Sequence, residues 1–95
     1  MSRRRILLAY DIRDDRRLRD VAVCAEAYGT RIQYSVFICD LTAEEVVRMR
    51  GDLERRILHT VDSVMLIDLG RPEDVSRFTF IGYHQKLPVR GPTII

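Results

Sequence analysis

An α+β fold, with two helices on one face of an antiparallel sheet, is predicted by three observations. The apolar run Ile6-Leu7-Leu8-Ala9-Tyr10 ends in Asp11 and is apolar on both faces, as a central strand requires. Two segments, 16–28 and 43–58, carry apolar residues at helical spacing. β-rich stretches lie between and after them, so strands and helices interleave within 95 residues. That length suits one domain spanning 1–95.

The first strand runs from Ile6 to Asp11. Asp14 and Asp15 then open a helix, because either carboxylate can take free backbone N–H groups and both suit the positive end of the dipole. Leu18, Val21, Ala22, Ala25 and Tyr28 form its buried stripe. Gly29 stands where a left-handed C-terminal residue is wanted. Beyond it, Ile32, Tyr34, Val36 and Ile38 share one parity, and Arg31, Gln33, Ser35, Phe37 and Cys39 share the other. Pattern alone reads 30–41 as one long strand; the topology asks for a hairpin with a tight reversal near Tyr34-Ser35.

Thr42-Ala43-Glu44-Glu45 is a capping box. The second helix reaches about Leu58, with Val46, Met49, Leu53 and Ile57 as its apolar stripe. Gly51 weakens it by roughly 1 kcal/mol relative to alanine. Ser63-Val64-Met65-Leu66-Ile67 is a further strand apolar on both faces. Gly70 to Asp74 is a turn, and Phe78-Thr79-Phe80-Ile81 is another strand. Residues 82–95 form a C-terminal extension, whose end, Thr93-Ile94-Ile95, is expected to pair with the sheet of a second protomer.

The order suits a split βαβ, or ferredoxin-like, βαββαβ sandwich with an extra C-terminal strand. The face away from the helices is expected to be open and lined by Leu7, Ala9 and Phe37. Such exposure favours a two-fold dimer.

Composition narrows the function classes. The hydrophobic fraction is 46% and the charged fraction 32%, ordinary for a soluble globular protein. No apolar stretch reaches membrane-spanning length, and the run behind Arg3-Arg4-Arg5 is too short for a signal sequence. A cytoplasmic protein is expected. Cys24 and Cys39 lack metal-site spacing and read as small buried residues. His59 and His84 lie far apart in loop-like sequence, and neither is assigned a catalytic role. A net charge of +2 does not argue for nucleic acid by itself, but arginine outnumbers lysine fifteen to one. Guanidinium groups fork onto phosphates; a GC-rich genome explains the same excess. Residues 1–19 hold seven arginines against three aspartates, concentrating basic charge around the first strand and helix.

Tyr10-Asp11-Ile12, Asp14-Asp15-Arg16-Arg17 and the segment Tyr28-Gly29-Thr30-Arg31-Ile32-Gln33-Tyr34-Ser35-Val36-Phe37 together resemble the CRISPR-associated protein two family. The Leu41-Thr42 helix entry, the Asp62-Ser63-Val64 strand start and the terminal Ile-Ile extend the resemblance over nearly the whole chain. It implies a homodimer in which Asp11 faces its symmetry mate and shares Mg2+ or Mn2+. It also implies metal-dependent endonuclease activity on RNA or DNA. The implied partners are the CRISPR integrase subunit and protospacer DNA or single-stranded RNA. Two features depart from the family: Ile38-Cys39 follows Val36-Phe37 where many relatives have glutamate, and the Arg3-Arg4-Arg5 lead is not a family hallmark.

Phosphodiester hydrolysis needs an activated water and charge relief at phosphorus, and a divalent ion supplies both. Asp11 from two protomers is the candidate catalytic and metal pair. The competing reading is a strand-end aspartate paired with Arg13 or Arg16, or capping the helix. Asp14 and Asp15 read as caps. Arg17, Arg19 and Arg31 are candidate phosphate contacts, although a solvated helix face also explains the first two. Phe37, Gln33 and Ser35 are placed at the dimer interface; base stacking is a second role for Phe37. Three alternatives remain open: a scaffold that bridges integrase subunits, a toxin-like ribonuclease of the same fold, and an RNA-recognition module. The last lacks its aromatic strand motif here.

Overall fold

Six elements follow one another as β1 (Arg4–Asp11), α1 (Asp15–Tyr28), β2 (Thr30–Gln33), β3 (Val36–Leu41), α2 (Ala43–Glu54) and β4 (Ser63–Asp68). They come from a computed structural model that describes residues 2–83 and 86–88. The strands form one antiparallel sheet in the order β2-β3-β1-β4. β1 is interior, pairing Leu8 with Phe37 on one side and with Leu66 on the other. This is the predicted α+β, ferredoxin-like arrangement, including the reversal at Tyr34-Ser35 between β2 and β3.

The helix-covered core follows from strand parity. Ile6, Leu8 and Tyr10 of β1 and Phe37, Cys39 and Leu41 of β3 point to one face. Val21, Cys24 and Ala25 of α1 and Met49 and Leu53 of α2 close over them. Both cysteines are buried and unbridged, as small core residues. Asp14 caps α1 by accepting the Arg17 N–H at 3.0 Å. Thr42 and Glu45 form the reciprocal capping box of α2.

Four expectations are corrected. Gly29 is not left-handed; its φ of −160° is ordinary extended backbone. Glycine is required there by space, since a Cβ would sit 2.4 Å from the Ile38 carbonyl oxygen and 2.5 Å from Cys39 Sγ. α2 stops at Glu54 rather than Leu58, because the Leu58 N–H is taken by the Asp62 carboxylate instead of the helical ladder. Residues 78–81 form no strand. Phe78 and Phe80 stack on each other at 6.1 Å.

The fourth correction concerns Phe37, which is fully buried under the helices and does not line the open face. Arg31 and Phe37 do share a face, as their parity required, but it is the covered one. The helix-free face carries Leu7, Ala9, Val36, Ile38, Met65 and Ile67, with Ile38 buried and Met65 and Ile67 exposed. At one end of that face Arg5 and Asp40 form a buried two-point ion pair, at 2.8 and 2.9 Å. Arg5 also donates to the Pro88 carbonyl at 2.8 Å, so the chain near residue 88 runs past this end. The expected strand at 93–95 and its exchange lie outside the described residues, as does His84.

Candidate functional site

Asp11 is the last residue of β1, paired in register with Ser63 at the start of β4. It shares parity with Arg5, Leu7 and Ala9, which places it on the helix-free face, opposite the end that holds the Arg5–Asp40 pair. Its side chain is 71% exposed, and its charged neighbour is the equally open Arg13, 3.6 Å away. An exposed pair at that separation is weak and easily displaced.

The groups around Asp11 are held far more tightly than Asp11 itself. Asp62, one residue before Ser63, is the hub. Its Oδ1 accepts the Arg13 backbone N–H at 2.9 Å and Arg17 Nη2 at 3.2 Å. Its Oδ2 accepts Arg17 Nε at 2.7 Å and the Leu58 N–H at 2.8 Å. The side chain is fully buried. The Arg17 fork, with the Arg13 and Leu58 N–H groups, holds its carboxyl well below the usual carboxylate range against the opposing effect of burial. The Arg17 N–H likewise lowers Asp14.

The predicted phosphate contacts therefore separate. Arg17 spends Nε and Nη2 on Asp62, which makes it part of the scaffold. Arg19 is exposed and makes no ion pair among the described residues. Together with Arg16 it borders a shallow hollow on the outer side of α1. The Arg31 guanidinium lies over the Phe37 ring, 5.1 Å from its centroid, on edge strand β2. Phe37 also stacks against Tyr10 at 6.1 Å. Gln33 is exposed, and Ser35 lies in the hairpin turn, where its carbonyl accepts the Tyr10 N–H at 3.2 Å. The hairpin turn thus borders the strand end that carries Asp11.

The donor set decides what cation one chain can hold. No group of three histidine, cysteine or carboxylate side chains is placed to ligate a metal among the described residues. Asp62 is committed to four N–H donors and Asp14 to its cap. Asp11 is thus an open oxygen ligand at this strand end. That fits a hard, largely hydrated cation such as Mg2+ or Mn2+ when a second copy supplies another carboxylate.

Sequence reasoning missed Asp62 and the Arg5–Asp40 pair. A signal for the first existed. Asp62 opens an apolar run as Asp11 closes one, and antiparallel pairing brings such positions together. Nothing local marked Asp40 as the partner of Arg5.

Fold and site define a class: a small ferredoxin-like α+β protein with one exposed carboxylate at the tip of its central strand and arginines on the adjoining helix and edge strand. The family model described as CRISPR associated protein Cas2 matches residues 4–77. The chain belongs to that family. It is 41% identical over 69 residues to a Rhodospirillum rubrum protein named CRISPR-associated endoribonuclease Cas2 1, covering 73% of this chain and 68% of the relative. A Thermus thermophilus CRISPR-associated endoribonuclease Cas2 is 32% identical over 90 residues, 95% of each chain. The crystal structure of Streptococcus pyogenes Cas2 superposes with a TM-score of 0.73 at 32% identity, covering 82% of this chain and 99% of that one. Among the described residues no helix is long and apolar enough to cross a membrane.

Proposed function

We propose that this protein is a homodimeric, metal-dependent endonuclease of CRISPR spacer acquisition, acting on phosphodiesters of RNA or DNA. One observation carries the reading: the Asp11 carboxylate stands open at the end of the central strand, on the face the helices leave uncovered. Leu7, Ala9, Val36, Met65 and Ile67 give that face the apolar character of a two-fold contact. A two-fold axis passing close to this strand end would bring a second Asp11 beside the first.

Asp11 of both protomers would hold Mg2+ or Mn2+. The bound ion would supply an activated water and relief of the charge that develops at phosphorus. Arg19 and Arg31 bind backbone phosphates without reading sequence. Phe37 keeps Arg31 at the β2 edge through its ring face. Arg13, in its weak exposed pair with Asp11, would yield that carboxylate to a bound cation and keep its own charge available to the substrate. The names of the relatives, endoribonucleases, support phosphodiester cleavage. The integrase subunit and protospacer DNA are the partners this reading assigns.

The test is a nuclease assay on single-stranded RNA and duplex DNA with Mg2+, Mn2+ or chelator. Wild type should cut only with metal, and Asp11→Ala should lose about two orders of magnitude or more. Metal-independent cleavage that survives Asp11→Ala would overturn the mechanism. One observation favours a second reading, a non-catalytic scaffold that bridges integrase subunits: among the described residues no three potential metal ligands cluster within one chain. Spacer capture that persists in Asp11→Ala, with no cleavage by wild type, would select it.

A further inference from the structure

We infer that Asp62 is the positioning residue that fixes the backbone on both sides of Asp11 and so presets its carboxylate for a cation; this rests on the reading of Asp11 as a metal ligand. The argument begins with what Asp11 lacks. Its side chain is open to solvent and its charged neighbour is one exposed arginine. Its placement must therefore come from the main chain. On one side the main chain is the β1 exit, Ile12-Arg13; on the other it is the start of β4, where Ser63 lies opposite Asp11.

Asp62 grips both. Through its own backbone it leads directly into Ser63. Through Oδ1 it accepts the Arg13 N–H, two residues beyond Asp11. Through Oδ2 it anchors the Leu58 N–H, closing the 58–62 turn that delivers β4 to this edge. Both oxygens also clamp Arg17 in the first turn of α1. One buried carboxylate that accepts four N–H donors thus ties together three segments: the β1 exit, the first turn of α1 and the 58–62 turn. The same clamp keeps the Arg17 fork occupied, leaving the loosely held Arg13 as the described cationic competitor for Asp11. Groups that orient a metal ligand from behind commonly change metal affinity by about 10- to 100-fold when removed.

The experiment compares full-length wild type with Asp62→Asn, Arg17→Lys and Asp11→Asn. Mn2+ binding is read directly by electron paramagnetic resonance, and amide hydrogen exchange by mass spectrometry. Asp62→Asn keeps the side-chain size but turns one acceptor into a donor against Arg13 or Leu58. The expected result is roughly tenfold weaker Mn2+ binding, with faster exchange over 12–17 and unchanged protection in 43–54. Arg17→Lys spares both backbone donors and exchanges the fork for a point charge. It should weaken Mn2+ binding less, in the same direction, and it keeps the idea testable if Asp62→Asn fails to fold. Wild-type Mn2+ affinity in both folded variants, or unaltered exchange over 12–17, overturns the role of Asp62. Asp11→Asn separates the two failures. If it binds Mn2+ like wild type, the cation reading of Asp11 fails and the positioning role falls with it. If it loses binding while the other variants keep it, only the role of Asp62 falls.

Discussion

The Arg31 guanidinium carbon sits 5.1 Å from the centroid of the Phe37 ring, across the register pair that joins β2 to β3. The ring is completely buried, yet its edge-strand neighbour is charged and exposed. A single aromatic side chain therefore serves two layers: it fills the core beneath α1 and α2, and it offers a π face to the arginine above the sheet margin.

Phe37→Ala should cost about 3–5 kcal/mol of folding stability, the range for removing a buried aromatic. Phe37→Leu should cost much less, because it keeps most of the volume and loses only the ring face. Urea unfolding of the two variants checks this. Equal losses would contradict the packing role.

Arg5 and Asp40 are buried side by side with two hydrogen bonds between them. Asp40→Ala should destabilise by about 3–5 kcal/mol, since it strands a buried cation. The cost should not change between low and high salt, because buried pairs escape screening. Denaturant midpoints at two salt concentrations test both statements.

Gly29→Ala should destabilise by about 1–3 kcal/mol, because its methyl group meets the Ile38 carbonyl and Cys39 Sγ inside contact distance. A left-handed requirement is absent, so Gly29→Asn should do no better than alanine. Thermal unfolding of the two variants separates crowding from backbone strain.

The Asp62 carboxyl is lowered in the folded protein from its ordinary 3.8, with the Arg17 hydrogen bonds the largest cause. The sign follows from proton counting. Below pH about 4 the unfolded chain takes up the proton first, so folding stability falls as pH drops toward the depressed folded value. Asp62→Asn should flatten that acid limb while leaving the slope above pH 5 unchanged. Stability measured from pH 2.5 to 7 for both proteins decides it.

The proposed pairing through the helix-free face predicts that Met65→Glu yields a folded monomer. Met65 is 52% exposed in the single chain, so the substitution should leave the melting temperature of the protomer nearly unchanged. Sedimentation of wild type and variant at matched concentrations is the check, and a variant that still dimerises would remove this face from the interface.

Element identity was legible because it is written in short-range signals. The Thr42–Glu45 capping box, the Asp14 cap and the helical stripes act within a few residues, and local physics reproduces them. The hairpin at Tyr34-Ser35 was legible only once topology demanded it. Asp11 was legible as a strand-end carboxylate, and Arg31 and Phe37 as sharing a face.

Which face that was could not be read, because alternation specifies two sides without naming the one the helices will cover; that depends on where α1 and α2 dock. The same limit hid Asp62 and Asp40. Their partners lie 45 and 35 residues away in sequence, and burial of a charge is set by the whole chain folding around it. The sequence by itself determined the periods, caps and parities. Only the tertiary structure decided which carboxylates are consumed by arginines and that Asp11 stays open, since long-range pairing and desolvation have no local signature.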